Sequence, residues 1–138
     1  MSATLREHAI DTVDTVHNQV VNLIAQRWAK AFVCQVTVRT GIEQNPWAEP
    51  NQLCDIVGWY VSSGGNSMEW MAEVETEDSL AELHVVDKWR RAMTRGVPFY
   101  LLVPRGMKEL ASRLAEEASI TVSCTYEFTF INGVCHVL

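Results

Sequence analysis

The run Val97-Pro-Phe-Tyr-Leu-Leu-Val103 is apolar at nearly every position, where a strand with one wet face would alternate. Such a run suits a strand covered on both sides, and helices supply that cover in an α/β layering. The rest of the chain reads consistently with it. Thr4-Leu-Arg-Glu7 forms a capping box, and Ile10, Val13, Val16, Val20, Leu23, Ile24 and Trp28 follow at helical spacing, which predicts a long first helix. Phe32–Arg39 is β-branched and partly alternating, so it reads as a strand that Thr40-Gly41 ends. The stretch from Glu43 to Cys54 carries Asn45-Pro46 and Glu49-Pro50 and reads as a loop, with Trp47 pinning it to the body.

Two further strands, Asp55–Val61 and Met68–Glu75, flank a turn at Ser62–Ser67 and form a hairpin. Ser79-x-x-Glu82 is a second capping box, opening a helix with Val85, Val86, Trp89, Ala92 and Met93 that stops at Arg95-Gly96. After the Val97–Val103 strand come a shorter helix from about Met107 to Ala118 and terminal strands in Ile120–Cys124 and Phe128–Val137. Asn132-Gly133 marks a hairpin turn within the last segment. The expected fold is therefore α/β, a mixed sheet flanked by helices in the order αβββαβ, with a further helix and a C-terminal hairpin. The strand after the second helix should run parallel to the one before it.

At 138 residues the chain fits one domain, 1–138, able to bury a core without staples. No apolar run approaches the ~20 residues of a membrane span, and the polar start lacks a signal-peptide core. These features give the expectation of a cytoplasmic chain with no membrane partner. Cys34, Cys54, Cys124 and Cys135 form no C-x-x-C pair and read as reduced, mostly buried small hydrophobes. The net charge of −6 excludes a sequence-independent coat for nucleic acid. Its distribution is segregated. Between Gly41 and Asp87 there is no Lys or Arg, whereas Lys88, Arg90, Arg91, Arg95, Arg105, Lys108 and Arg113 then meet only Glu109. That is the pattern of an acidic pocket beside a basic helix, or of two surfaces that pair with each other.

The acidic half has a focus. Glu73 and Glu75 are two apart on an extended chain and share a face, and a paired Asp55 strand brings a third carboxylate to it. Close carboxylates repel unless they are protonated or bridged by a cation, and a hard divalent metal is the simplest bridge. The alternative is a set of exposed strand-end carboxylates paired with Arg90, Arg91 or Arg95.

An aspartate opening the second strand, an acid-x-acid pair on the third, and the order αβββαβ over about residues 4 to 103 together resemble the PD-(D/E)XK nuclease superfamily, the restriction-endonuclease-like fold. Glu73-Val-Glu-Thr-Glu-Asp-Ser79, Lys88-Trp89 and Val97–Pro104 also look like a group of small bacterial members without assigned substrate. The resemblance implies a Mg²⁺ or Mn²⁺ ion held by Asp55, Glu73, the Val74 carbonyl and Glu75, and hydrolysis of nucleic-acid phosphodiester bonds. Cys54 stands where the family often has proline, and Glu75 where it has lysine, so the chain carries E-x-E in place of E-x-K. The resemblance implies Glu75 as base or ligand, Lys88 as the lysine migrated to the following helix, and Lys88, Arg90 or Arg91 as neutralisers of the phosphate. Glu7, with Asp11 and Asp14 nearby, is a candidate first-helix acid, and the capping box also accounts for Glu7. His8 is a candidate phosphate ligand. His8 and His17 are not on one ridge and form no metal pair by themselves. His84 reads as a half-buried histidine, Trp89 as the residue packing the second helix onto the sheet, and Trp47 as a core plug or a base-stacking ring. The alternative to an enzyme is an inactive binding or scaffold module on the same fold. A homodimer is expected to pair through the terminal hairpin.

Overall fold

The computed structural model describes residues 2–39 and 54–138, with residues 2–15 as helical backbone only. The side chains of the Thr4–Glu7 box, His8, Asp11 and Asp14, and the segment holding Trp47, lie outside the described residues. The protein is α/β. A six-stranded mixed sheet has the order β1-β2-β3-β4-β5-β6, and helices cover both faces. Along the chain the elements are α1 (Ser2–Phe32), β1 (Gln35–Val38), β2 (Ile56–Ser62), β3 (Gly65–Val74), α2 (Glu77–Leu80), α3 (Val85–Met93), β4 (Phe99–Pro104), α4 (Lys108–Glu117), β5 (Cys124–Ile131) and β6 (Val134–Val137). β3–β4 and β4–β5 pair parallel, and the other neighbours antiparallel. The parallel pairing expected across the second helix is present.

Strand alternation divides the core in two. Ile56, Trp70, Ala72, Val74 and Leu102 face Val20, Val21, Ile24 and Ala25 of α1. Val57, Met71, Phe99, Leu101 and Val103 face Leu80, Val85, Trp89, Ala92, Ala111 and Ala115 of α2 to α4. β4 contributes to both cores, which is why its sequence is apolar throughout. Gly58 is fixed by close approach. A Cβ there would lie 2.2 Å from the Trp70 indole, beside a register shift at Gly58/Trp59.

Four boundaries differ from expectation, each for a local reason. Phe32 ends α1 and does not begin β1, because the apolar ridge of α1 carries the helix onward. Its end is a Schellman motif, with Cys34 N–H donating to Ala29 O (3.1 Å) and Val33 N–H to Lys30 O (3.4 Å). The second capping box is Thr76…Ser79, not Ser79…Glu82: Thr76, separated from the end of β3 only by Glu75, accepts from Ser79 N–H, while Thr76 N–H donates to Ser79 Oγ. This box closes only the single turn of α2. α3 then starts at Val85 with His84 as its N-cap, so His84 is exposed, not half-buried, and bonds Asp87. Ile120–Ser123 is not a strand: Ile120 N–H closes the end of α4 on Ala115 O (2.8 Å), and its side chain is buried there. The terminal turn is as expected, with Asn132 and Gly133 at φ 52° and 77° between β5 and β6. The four cysteines form no disulfide with one another, and Cys54 and Cys135 are buried. No described helix is long and apolar enough to cross a membrane.

Candidate functional site

Ile56↔Ala72 is the last β2–β3 pair, and Asp55 stands one step beyond it, opposite Glu73. Here the ladder frays in a defined way. Arg39 N–H donates to Asp55 O (2.8 Å), and Val74 N–H donates to Asp55 Oδ2 (2.9 Å) in place of a backbone acceptor. Glu75 N–H continues onto β4 through Leu102 O (2.9 Å). Asp55, Glu73 and Glu75 share the parity of Val57 and Met71, so all three fall on the side of α3. They line a cleft of about 300 Å³ whose walls include His17, Arg39, Ser79 and Lys88.

The three acids are not exposed strand-end carboxylates. Asp55, Glu73 and Glu75 are 3 %, 2 % and 0 % exposed, and uncompensated charge at that depth is expensive. Each acid is handled differently. Glu75 is held by three donors: Ser79 Oγ at 2.9 Å and Lys88 Nζ at 3.1 Å from Oε1, and Trp89 Nε1 at 3.2 Å from Oε2. Asp55 accepts from Val74 and lies 3.1 Å from His17 Nε2. Burial opposes its charge, but hydrogen bonds from His17 and Glu73 and the His17 charge outweigh it, holding the carboxyl below its usual value. Glu73 shares a side-chain hydrogen bond with Asp55 and has a long approach from Arg39 Nη2, 3.9 Å from Oε1, while its Oε2 has no hydrogen-bond partner among the described residues. Burial, reinforced by Asp55 and Glu75, pushes the Glu73 carboxyl well above its usual range.

The cations respond in kind. Burial would lower the His17 and Lys88 pKa values, yet the neighbouring carboxylates raise both. Cys54 sits behind the cluster as an inert thiol, pushed up by burial and then by Glu73 and Asp55.

Lys88, expected on α3 as the migrated lysine, is therefore at the cleft. Arg90 and Arg91, expected beside it, are not part of its lining. Arg90 pairs with Asp87 at 3.2 Å and donates to Ala118 O at 3.3 Å, on the flank toward α4. Arg91 is exposed on the helix surface. Glu7 and His8 lie outside the described side chains. His17, Arg39, Ser79 and the indole N–H of Trp89 are additions that sequence reasoning missed. Two of them carried a signal. His17 lies at i, i+3, i+4 and i+7 with Val20, Val21 and Ile24, on the buried ridge of α1, and Arg39 shares the parity of buried Thr37 on β1.

Among the described residues no group of three or more His, Cys, Asp or Glu side chains is arranged to hold a metal ion. Comparison with family models, with curated proteins and with solved structures finds no match to this chain.

Proposed function

We propose that the chain is a small Mg²⁺- or Mn²⁺-dependent phosphodiesterase acting on nucleic acid, of PD-(D/E)XK-like design. One observation carries the reading: Lys88 Nζ stands 3.1 Å from Glu75 Oε1, so α3 supplies to the acid cluster the positive charge that E-x-E lacks on β3. Carboxylate oxygens are also the donors a hard cation prefers. Glu73 Oε2 is buried with no hydrogen-bond partner among the described residues, and its carboxyl, pushed well above the usual range, is relieved by a proton or by a cation alike. Asp55 and Glu73 would hold the ion, with the Val74 carbonyl and Glu75 as further ligands. When bound, such a cation supplies Lewis-acid assistance at a phosphoryl group.

The chain's own groups do the rest. Ser79, Lys88 and Trp89 fix the Glu75 carboxylate, which orients a water and accepts its proton. Lys88 neutralises charge that develops on the phosphate. His17 and the Val74 N–H hold the Asp55 carboxylate in its orientation.

A second reading, an inactive binding module on the same fold, is favoured by the state of Glu75. Both its oxygens are engaged by protein donors, as in a structural ion pair. Turnover separates the two. The purified chain should cleave single- or double-stranded DNA or RNA with Mn²⁺ or Mg²⁺, and Asp55→Asn should abolish this. Lys88→Ala should slow it about 10²-fold or more, the value of one charge-stabilising donor. A wild type inert on all four substrates with both metals overturns the enzyme reading and leaves the module.

A further inference from the structure

Lys88, Arg91 and Arg95 succeed one another at i, i+3 and i+7, the spacing of one helical ridge. Arg95 lies one residue past Thr94, the C-cap of α3, whose helical angles (φ −65°, ψ −13°) carry the turn onward, with Arg95 N–H donating to Ala92 O (3.1 Å). At 1.5 Å per residue the ridge is about 10 Å long. Its first member reaches into the cleft through Glu75; Arg91 and Arg95 are exposed, and none of the ion pairs among the described residues involves either. Arg90 is on the other flank, committed to Asp87 and Ala118. Asp87, the carboxylate on the first turn of α3, is already shared by Arg90 and His84.

The cleft itself is strongly acidic, with Asp78 and Glu82 in its walls beside the three buried acids. A polyanion brought there needs positive charge close by to offset repulsion. On a chain of net charge −6, a line of cations starting inside an acidic cleft is a polarised feature, not a diffuse basic coat. We propose that the ridge Lys88–Arg91–Arg95 is a track for one phosphodiester backbone, which leaves the cleft along α3 with successive phosphates on Arg91 and Arg95. This rests on the nucleic-acid reading of the cleft and adds the direction in which the strand runs. Arg91 and Arg95 are positioning residues on this account, since they meet phosphates remote from the reacting one.

Binding and turnover are measured separately so that the two ideas can fail separately. The probe is a fluorescently labelled single-stranded DNA oligonucleotide, titrated by anisotropy in EDTA over a salt series with wild type, Arg91→Gln/Arg95→Gln and Arg90→Gln. Each phosphate contact on a single strand contributes about 0.7 to the slope of log K against log salt. The double variant should bind more weakly, with a slope reduced by about 1.4, and Arg90→Gln should match wild type. Unchanged melting curves would show that the exposed substitutions leave the fold intact. A double variant with wild-type affinity and slope overturns the track, as does an equal loss in Arg90→Gln, which would mean that any surface arginine counts. A wild type that does not bind overturns the track together with the nucleic-acid reading. A wild type that binds through Arg91 and Arg95 but never cleaves supports the track on an inactive module.

Discussion

Glu73 makes the stability of the metal-free protein depend on pH in a defined direction. Burial and the neighbouring Asp55 and Glu75 push its carboxyl well above the ordinary value of 4.5. The associated stability is fully present below that value and is lost as pH rises toward the folded pKa, when the native state must either bury a charge or bind a proton from scarce supply. Glu73→Gln keeps the shape and the hydrogen-bond donor without the titration. In EDTA it should match wild type near pH 4 and exceed it increasingly above, each tenfold difference in proton affinity being worth about 1.4 kcal/mol. Urea melts at pH 4, 6 and 8 check this; a variant less stable than wild type at pH 8 would show that the Glu73 carboxylate is a structural partner. His17 acts in the same sense from its own reference of 6.5. Its pairing with Asp55 contributes below that value and fades as pH rises through the raised one, so His17→Gln should flatten the decline above about pH 6.5. Val33 is a different kind of strain: it occupies the left-handed position of the Schellman motif at φ 50° and is 90 % exposed. A β-branched residue there costs about 1–2 kcal/mol, and no packing is at risk. Val33→Gly should raise stability by about 1 kcal/mol in a denaturant midpoint measurement.

At the scale of elements, α4 is capped from far away in sequence. Its N-terminal residue Met107 offers no side-chain cap, but Glu127 on β5 accepts from both Gly106 N–H (2.8 Å) and Lys108 N–H (3.1 Å) through one oxygen. A carboxylate at a helix N-terminus satisfies orphan donors and meets the dipole favourably. Glu127→Ala should cost about 1 kcal/mol, and Glu127→Gln less, since an acceptor remains; thermal melts of the two rank them. This cap also shows where sequence reading stops. The Asn132-Gly133 turn and the shared parity of Asp55, Glu73 and Glu75 follow from local chemistry or a period of two, and the second of these was legible once the hairpin was. The Glu127 cap, the His17–Asp55 pairing and the reach of Lys88 to Glu75 depend on which elements meet in space. For His17 the ridge position said that it was buried and could not say against what. The Phe32–Arg39 strand went wrong at its start because β-branched composition at a helix end competes with the apolar ridge behind it, and packing of that ridge decided the outcome.

For the molecule as a whole, a divalent cation that occupies the acid cluster only in the native state must stabilise the fold. At a hundredfold excess over Kd the gain is about 2.7 kcal/mol, or roughly 6–10 °C in Tm. Melting curves in Mg²⁺ or Mn²⁺ that overlay those in EDTA would remove the metal from the proposed function, and Asp55→Asn should abolish any gain that is seen. The sheet also tolerates little at its crossing points. Gly58→Ala would press a methyl into the Trp70 indole, and overpacking of this kind costs about 1–3 kcal/mol.

The split core has a further consequence, for the order in which the chain can be completed on the ribosome. α1 precedes every strand, yet the apolar ridge formed by Val20, Val21 and Ile24 shares its cluster with Phe128 and Cys135 of β5 and β6. The α1 helix therefore cannot finish burying its greasy side until the β5–β6 hairpin has been made. Until then it is a sticky amphipathic segment awaiting partners, the kind of surface that nascent-chain chaperones shield.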